Sequence, residues 1–104
     1  MDNFKAIYRI LHYLEQAMDY DEPDMDRISS QALGLTENRW ESLMEMLVSE
    51  GYVDGIKIRR FVDGYVEMCM INPRITLKGL EYLKENSSMK KIANLAKGIA
   101  DFIP

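Results

Sequence analysis

The dipeptide Asp63-Gly64 is the feature that most constrains the fold of this 104-residue chain. Asp-Gly between two β-rich runs is a strong signal for a two-residue hairpin turn. Such a turn also sets the register of the strands. The pairs it predicts are Val62 with Tyr65, Arg60 with Glu67, Ile58 with Cys69, and Ile56 with Ile71. The sequence therefore predicts an antiparallel hairpin over 56–71, with a charge pair near its tip.

This register divides the hairpin into two faces. The face expected to join the core near the base consists of Ile56, Ile58, Cys69 and Ile71. The opposite face carries Lys57, Arg59, Phe61, Val66, Met68 and Met70. The apolar residues of this outer face form a larger patch than a soluble protein usually exposes to water. We expect a C-terminal helix of the same chain to cover it, or alternatively a dimer or partner contact through its adaptable methionines.

Helical periodicity lies on both sides of the hairpin. The helices predicted from it cover 3–19, 25–33, 36–50, 76–86 and 87–104. Asn3 and Thr36 are expected to cap the first and third helices, and Gly51 to end the third with a left-handed residue. Three helices, a hairpin and further helices is the element order of a winged helix. We predict the α+β class, as a winged helix (winged helix-turn-helix) with an added C-terminal helix.

Three motifs carry a family resemblance. They are Leu33-Gly34-Leu35-Thr36, the run from Leu43 to Gly51-Tyr52-Val53, and the run from Ile75-Thr76-Leu77 to Leu83. In order and spacing they resemble the YjcQ family, small proteins of low-GC Gram-positive bacteria and their phages, over residues 3–104. The last run also resembles the segment after the wing in many winged-helix repressors. The resemblance implies a winged helix, and it implies no activity and no functional residues.

Length and composition predict one domain over 1–104 in the cytoplasm. The length is ordinary for a single domain, and no linker or repeat divides it. A single cysteine, Cys69, allows no intrachain disulfide, which fits a reducing compartment. The N-terminus lacks the pattern of a signal peptide, and no apolar run approaches the roughly 18 residues of a membrane span. We therefore expect no membrane association.

The residue types also argue against an enzyme. His12 is the one histidine, on the polar face of the first helix, and no nucleophile or orienting carboxylate is marked near it. One cysteine and one histidine exclude a zinc site in practice. The acidic loop 19–26 lacks the glycine and closing glutamate of a calcium loop, and no glycine-rich phosphate loop is present. We expect no catalysis, no metal and no cofactor.

Charge is distributed unevenly and bears on the partner. Residues 1–50 hold 4 Lys/Arg and 11 Asp/Glu, whereas residues 51–104 hold 9 and 6. In a winged helix the third helix usually enters the major groove and the wing contacts the backbone or minor groove. The expected phosphate contacts are Lys57, Arg59, Arg60, Arg74 and Lys78. The expected base contacts are Asn38, Arg39 and Ser42, beside the repelling carboxylates of Glu41 and Glu45.

The sequence therefore predicts a non-catalytic protein that binds duplex DNA, a small bacterial or phage regulator. The alternative is a protein-interaction adaptor that uses a winged helix without DNA, docking through the acidic third helix or the apolar wing face. The amphipathic helix 87–104 has a second apolar line, Leu95 and Phe102, and we expect it to support a homodimer.

Overall fold

The computed structural model describes residues 1–88. The elements in chain order are α1 (Asn3–Gln16), α2 (Ser30–Leu33), α3 (Glu37–Ser49), β1 (Val53–Arg60), β2 (Val66–Ile75) and α4 (Leu77–Glu85). Almost all of the predicted C-terminal helix, with the dimer contact expected from it, lies outside the described residues. The class is α+β, and the helices with a two-stranded antiparallel sheet are compatible with a winged helix. Within residues 1–88, no helix is long and apolar enough to cross a membrane.

Side-chain caps begin the helices. Thr36 caps α3 as predicted, since its hydroxyl accepts a hydrogen bond from the Arg39 amide at 3.2 Å. At α1 the cap is Asp2 rather than the predicted Asn3, and its carboxylate accepts from the Phe4 amide at 3.0 Å. A carboxylate also suits the positive end of the helix dipole, which a neutral amide does not. Asn3 is therefore the first helical residue, and its side chain is available for another contact.

The predicted helix 25–33 is divided into two pieces. Residues Met25–Ile28 form a 3-10 turn, and Ser29 then adopts an extended backbone conformation. The Ser29 hydroxyl accepts from the Ala32 amide at 3.1 Å and so begins α2. Serine competes for backbone partners in this way, which favours caps over helix interiors.

The core forms around α1. Its largest fully buried side chains are Ile10, Leu11, Leu14, Ile28, Leu33 and Met44. The half-buried Trp40 of α3 donates its indole N–H to the Ile28 carbonyl at 2.8 Å, which joins α3 to the 3-10 turn. This bond satisfies the polar atom of a large side chain that packs against the core. The orientation of α3 is thereby set, and with it the face that α3 leaves exposed.

The predicted hairpin is present, but its turn differs from the prediction. The Gly64 amide donates to the Phe61 carbonyl, and the Phe61 amide to the Tyr65 carbonyl, both at 2.9 Å. Gly64 has a φ of +90°. Three residues, 62–64, therefore form the loop, as in a type I turn followed by a left-handed bulge residue. The Asp63 carboxylate accepts from the Tyr65 amide at 3.0 Å within this loop.

The longer loop shifts the register by one residue, which exchanges the faces of β2. The inner face consists of Ile56, Ile58, Met68 and Met70, and the two methionines pack against the core. Their predicted outer position is wrong. The predicted inner position of Cys69 and Ile71 is wrong as well, because Cys69 lies opposite Lys57 on the outer face and Ile71 is 64% exposed.

Burial raises the pKa of two tyrosine hydroxyls, which makes the stability of the fold depend on pH in the alkaline range. Burial raises the pKa of the Tyr8 hydroxyl, with a smaller contribution from the Glu15 carboxylate. Burial also raises the pKa of Tyr82, with a smaller contribution from Tyr52. The folded state therefore favours the protonated phenols. Their contribution to stability is present below the unfolded pKa of about 10 and is lost as the pH rises through the folded pKa.

Removal of these phenols is expected to weaken the alkaline loss of stability. The double variant Tyr8→Phe/Tyr82→Phe keeps both rings and has neither hydroxyl. Urea unfolding midpoints of the parent and the double variant, measured from pH 8 to pH 11, provide the test. The parent is expected to lose stability more steeply above pH 10. Parallel curves for the two proteins would contradict the assignment.

Candidate nucleic-acid interface

The exposed side of α3 presents the three residues predicted to contact bases. Asn38, Arg39 and Ser42 are all exposed to solvent. They lie along a shallow groove between α3 and the start of α1. The groove is lined by Asn3, Thr36, Asn38, Arg39, Ser42, Leu43 and Met46. Its rim offers amide, guanidinium and hydroxyl groups, the donors and acceptors that read base edges.

Asn3 is a member of this site that sequence reasoning missed. The Arg39 Nη1 donates to the Asn3 Oδ1 at 2.9 Å, across 36 residues of chain. This contact restrains Arg39 against the first turn of α1. The position of Asn3 at the start of a helix indicated a cap, and no local pattern indicates a partner so distant in sequence.

Arg60 joins the hairpin to α3. Its Nε donates to the Glu45 Oε2 at 2.9 Å, and its Nη2 contacts the Glu45 Oε1. The predicted pairing with Glu67 is therefore wrong. In the observed register Arg60 shares the inner face of the sheet with Ile58, so its side chain extends toward α3. The bidentate pair therefore joins the end of β1 to the side of α3.

The other two basic residues of β1 lie on the outer face. Arg59 lies opposite Glu67, and its Nη1 is 3.7 Å from that carboxylate. Its guanidinium also lies 5.7 Å from the ring centroid of Phe61. Lys57 is two residues away on the same face and is exposed.

Arg74, which is predicted to contact phosphate, holds the loop that follows α1. Its guanidinium donates to the carbonyls of Ala17 at 3.0 Å, Tyr20 at 3.3 Å and Asp21 at 2.6 Å. Its Nε donates to the Asn72 Oδ1 at 3.3 Å. Carbonyls just beyond the end of a helix lack helical partners, and an arginine can satisfy several at once. The structure therefore uses this side chain within the fold.

Lys78, also predicted to contact phosphate, lies at the end of α3. Its Nζ donates to the Glu50 carbonyl at 2.7 Å and lies 5.0 Å from the ring centroid of Tyr52. A cation at the C-terminus of a helix is favoured by the helix dipole. Lys78 thus stabilises the end of α3, and the structure does not bring it together with Arg60.

Charges on the combined surface of α3 and β1 are balanced. In these two elements the cations are Arg39, Lys57, Arg59 and Arg60, and the carboxylates are Glu37, Glu41, Glu45 and Asp54. Glu67 of β2 lies opposite Arg59. Two of these cations contact carboxylates directly. The surface is therefore a mosaic of paired charges, not a continuous positive stripe. A polyanion that bound here would have to replace carboxylates as partners of the arginines.

Among residues 1–88, no cluster of three His, Cys, Asp or Glu side chains could hold a metal ion. In the acidic loop, the Asp24 carboxylate accepts from the Asp26 amide at 3.1 Å and caps the 3-10 turn. The His12 ring stacks on Tyr8 at a centroid distance of 5.8 Å.

Comparison with known proteins gives consistent matches. A family model described as YjcQ protein matches residues 8–102. The chain is similar to a Bacillus subtilis (strain 168) protein described as "Uncharacterized protein YjcQ", with 32% identity over 76 residues, 73% of this chain and 78% of that protein. It is also similar to the solution NMR structure of the YjcQ protein from Bacillus subtilis. That match has 28% identity and a TM-score of 0.49, and it covers 78% of this chain and 91% of the other.

Proposed function

The chain belongs to the YjcQ family, and we propose that it is a non-catalytic DNA-binding protein with a winged-helix fold. In this proposal it is a small bacterial or phage regulator that acts in the cytoplasm. The hairpin of β1 and β2 is the wing, and α3 is the helix that enters the major groove.

The contact between Arg60 and Glu45 is the observation that carries the proposal. It joins the exposed side of α3 to the inner face of β1, and the outer face of the same strand carries Lys57 and Arg59. We assign Asn38, Arg39 and Ser42 to base edges, and Lys57, Arg59 and Arg60 to phosphates. Arg74 and Lys78 are left out of the assignment because they donate to backbone carbonyls. Arg59 and Arg60 pair with side-chain carboxylates instead, and their side chains remain 66% and 60% exposed.

A protein partner is the second candidate, and the charge balance of the surface favours it. The carboxylates of Glu41 and Glu45 would repel DNA phosphates, and they lie on the side of α3 that would enter the major groove. The groove also has apolar walls, Leu43 and the exposed Met46. An adaptor would use this groove for a partner side chain and would have no need of the basic strand.

Salt dependence distinguishes the two candidates. Three phosphate contacts per chain predict a slope of log K against log salt of roughly −2 to −3, by counterion release. Arg59→Ala is expected to reduce that slope by about one and to weaken all duplexes similarly. Glu45→Gln is expected to strengthen binding, because it removes a negative charge and releases Arg60 from its bidentate pair. Fluorescence titration of a labelled duplex at several salt concentrations measures each effect.

Lys84→Ala is the matched control, since it removes one positive charge from α4, outside the proposed surface. It is expected to leave the slope unchanged. An equal effect of Lys84→Ala and Arg59→Ala would indicate net charge rather than a site. No binding at low salt, or binding that Arg59→Ala and Glu45→Gln leave unaltered, would favour the adaptor.

A further inference from the structure

The tip of the hairpin exposes apolar side chains to solvent. Val62 is fully exposed, Phe61 is 43% exposed and Tyr65 is 60% exposed. The two rings lie across the hairpin from each other, with centroids 5.6 Å apart and planes tilted by 39°. The three side chains therefore form a small apolar cap at the end of the two-stranded ribbon, which we call the apolar tip.

The geometry of the turn does not require this apolar tip. The turn needs a residue that tolerates positive φ at Gly64, and the Asp63 carboxylate stabilises it by accepting from the Tyr65 amide. Position 62 needs neither a positive φ nor a side-chain hydrogen bond, and turn positions are normally occupied by polar residues, glycine or proline. A fully exposed valine there contributes nothing to the core. Its apolar surface is available to a partner.

Charges next to the apolar tip indicate the class of partner. The Arg59 guanidinium lies 5.7 Å from the centroid of the Phe61 ring, and Lys57 follows on the same face. The Asp63 carboxylate at the tip faces its own backbone. Arg59 also lies 3.7 Å from Glu67, but its side chain remains 66% exposed. Apolar groups with two exposed cations behind them match duplex DNA, where the apolar stack of bases lies between two rows of phosphates.

We propose that the apolar tip approaches from the minor groove and inserts Val62, with Phe61 behind it, between two adjacent base pairs. This inference rests on the proposed DNA-binding function and adds a mode of contact to it. Apolar wedges on minor-groove proteins partly unstack a base step and bend the duplex. Pyrimidine–purine steps such as TA unstack most easily, so the tip is expected to prefer them. Arg59 and Lys57 would then contact the flanking phosphates.

Duplexes with 2-aminopurine at TA steps provide the test, because the fluorescence of this base rises when it unstacks. Binding of the parent protein is expected to raise the emission. Val62→Ser is expected to abolish the rise and to weaken binding roughly tenfold, from loss of apolar burial. Val62→Ile keeps an apolar wedge and is expected to retain both effects. Because Val62 is fully exposed, neither change is expected to alter the urea unfolding midpoint.

The outcomes separate this inference from the proposed function. Binding without a rise in emission, or a rise that persists in Val62→Ser, would contradict the insertion of Val62 but would remain consistent with DNA binding. Absence of duplex binding at low salt would overturn both. Binding to vesicles of anionic lipid, lost in Val62→Ser while duplex emission stays flat, would replace the wedge with a membrane contact.

Discussion

Gly55→Ala is expected to lower the free energy of unfolding by at least about 3 kcal/mol. The residue has a φ of +80°, and an added Cβ would lie 1.8 Å from the backbone carbonyl oxygen of Asn72. Here the sheet is irregular, since β1 passes from Asp54 to Ile56 while β2 passes from Arg74 to Met70. Both obstacles are backbone features, so rotation of a side chain cannot relieve them. The variant is expected to unfold at a much lower urea concentration, or to fail to fold.

Gly64→Ala is the matched control for this prediction. Its φ of +90° also disfavours alanine, but nothing lies within 4 Å of the added Cβ. The expected loss is therefore only the conformational term, roughly 1–2 kcal/mol. Urea denaturation with an unchanged m-value compares the two variants. Equal losses would show that positive φ alone explains Gly55 and that the close approach to Asn72 is relaxed in solution.

Arg74→Met is expected to lower the free energy of unfolding by about 2 kcal/mol. Methionine keeps much of the aliphatic stem but removes the guanidinium, which donates to the carbonyls of Ala17, Tyr20 and Asp21. Some of these carbonyls can regain water, which limits the loss. Loosening of the loop after α1 is expected to accompany it, measured as faster amide hydrogen exchange over 17–24.

Arg59→Met is the companion variant, because it removes the same group from an exposed position. It is expected to change stability by less than about 1 kcal/mol and, under the proposed function, to weaken duplex binding. Arg74→Met is expected to lower stability more than Arg59→Met does, and to leave the affinity for the duplex and its salt slope unchanged in the folded protein. A stable Arg74→Met protein with a reduced slope would restore Arg74 to the phosphate contacts.

Much of the fold could be predicted because its signals are local. Thr36 begins α3 and Gly51, with a φ of +81°, follows its end as predicted, since each acts on backbone groups within a few residues. The spacing of apolar residues likewise indicated the α+β order. The register of the hairpin was not predictable from Asp63-Gly64 alone. Two-residue and three-residue loops both accept Asp-Gly, and they place β2 on opposite faces.

The candidate site was predicted in part. Asn38, Arg39 and Ser42 are exposed because the opposite side of α3 carries the core residues Leu43, Met44 and Leu47. The periodicity of one helix contains this information. That periodicity does not indicate which hydrogen-bond acceptor an arginine will contact, because the carboxylates and carbonyls that compete for it belong to other elements.

The order of the main helices and of the hairpin, the cap of α3 at Thr36 and the exposed face of α3 all follow from the sequence, since they depend on contacts within a few residues. The observed register of β2 depends on the local turn together with the packing of Met68 and Met70 against the core, and the partners of the basic side chains depend on tertiary structure alone. Arg60 lies on the inner face of β1 in either register, but the observed register places Glu67 on the outer face, so that Glu45 of α3 is the carboxylate that Arg60 reaches. Arg74 reaches the loop after α1 because the hairpin base packs beside it. A long flexible cation binds the acceptors that the packed fold places within its reach, and these acceptors lie many residues away in the chain.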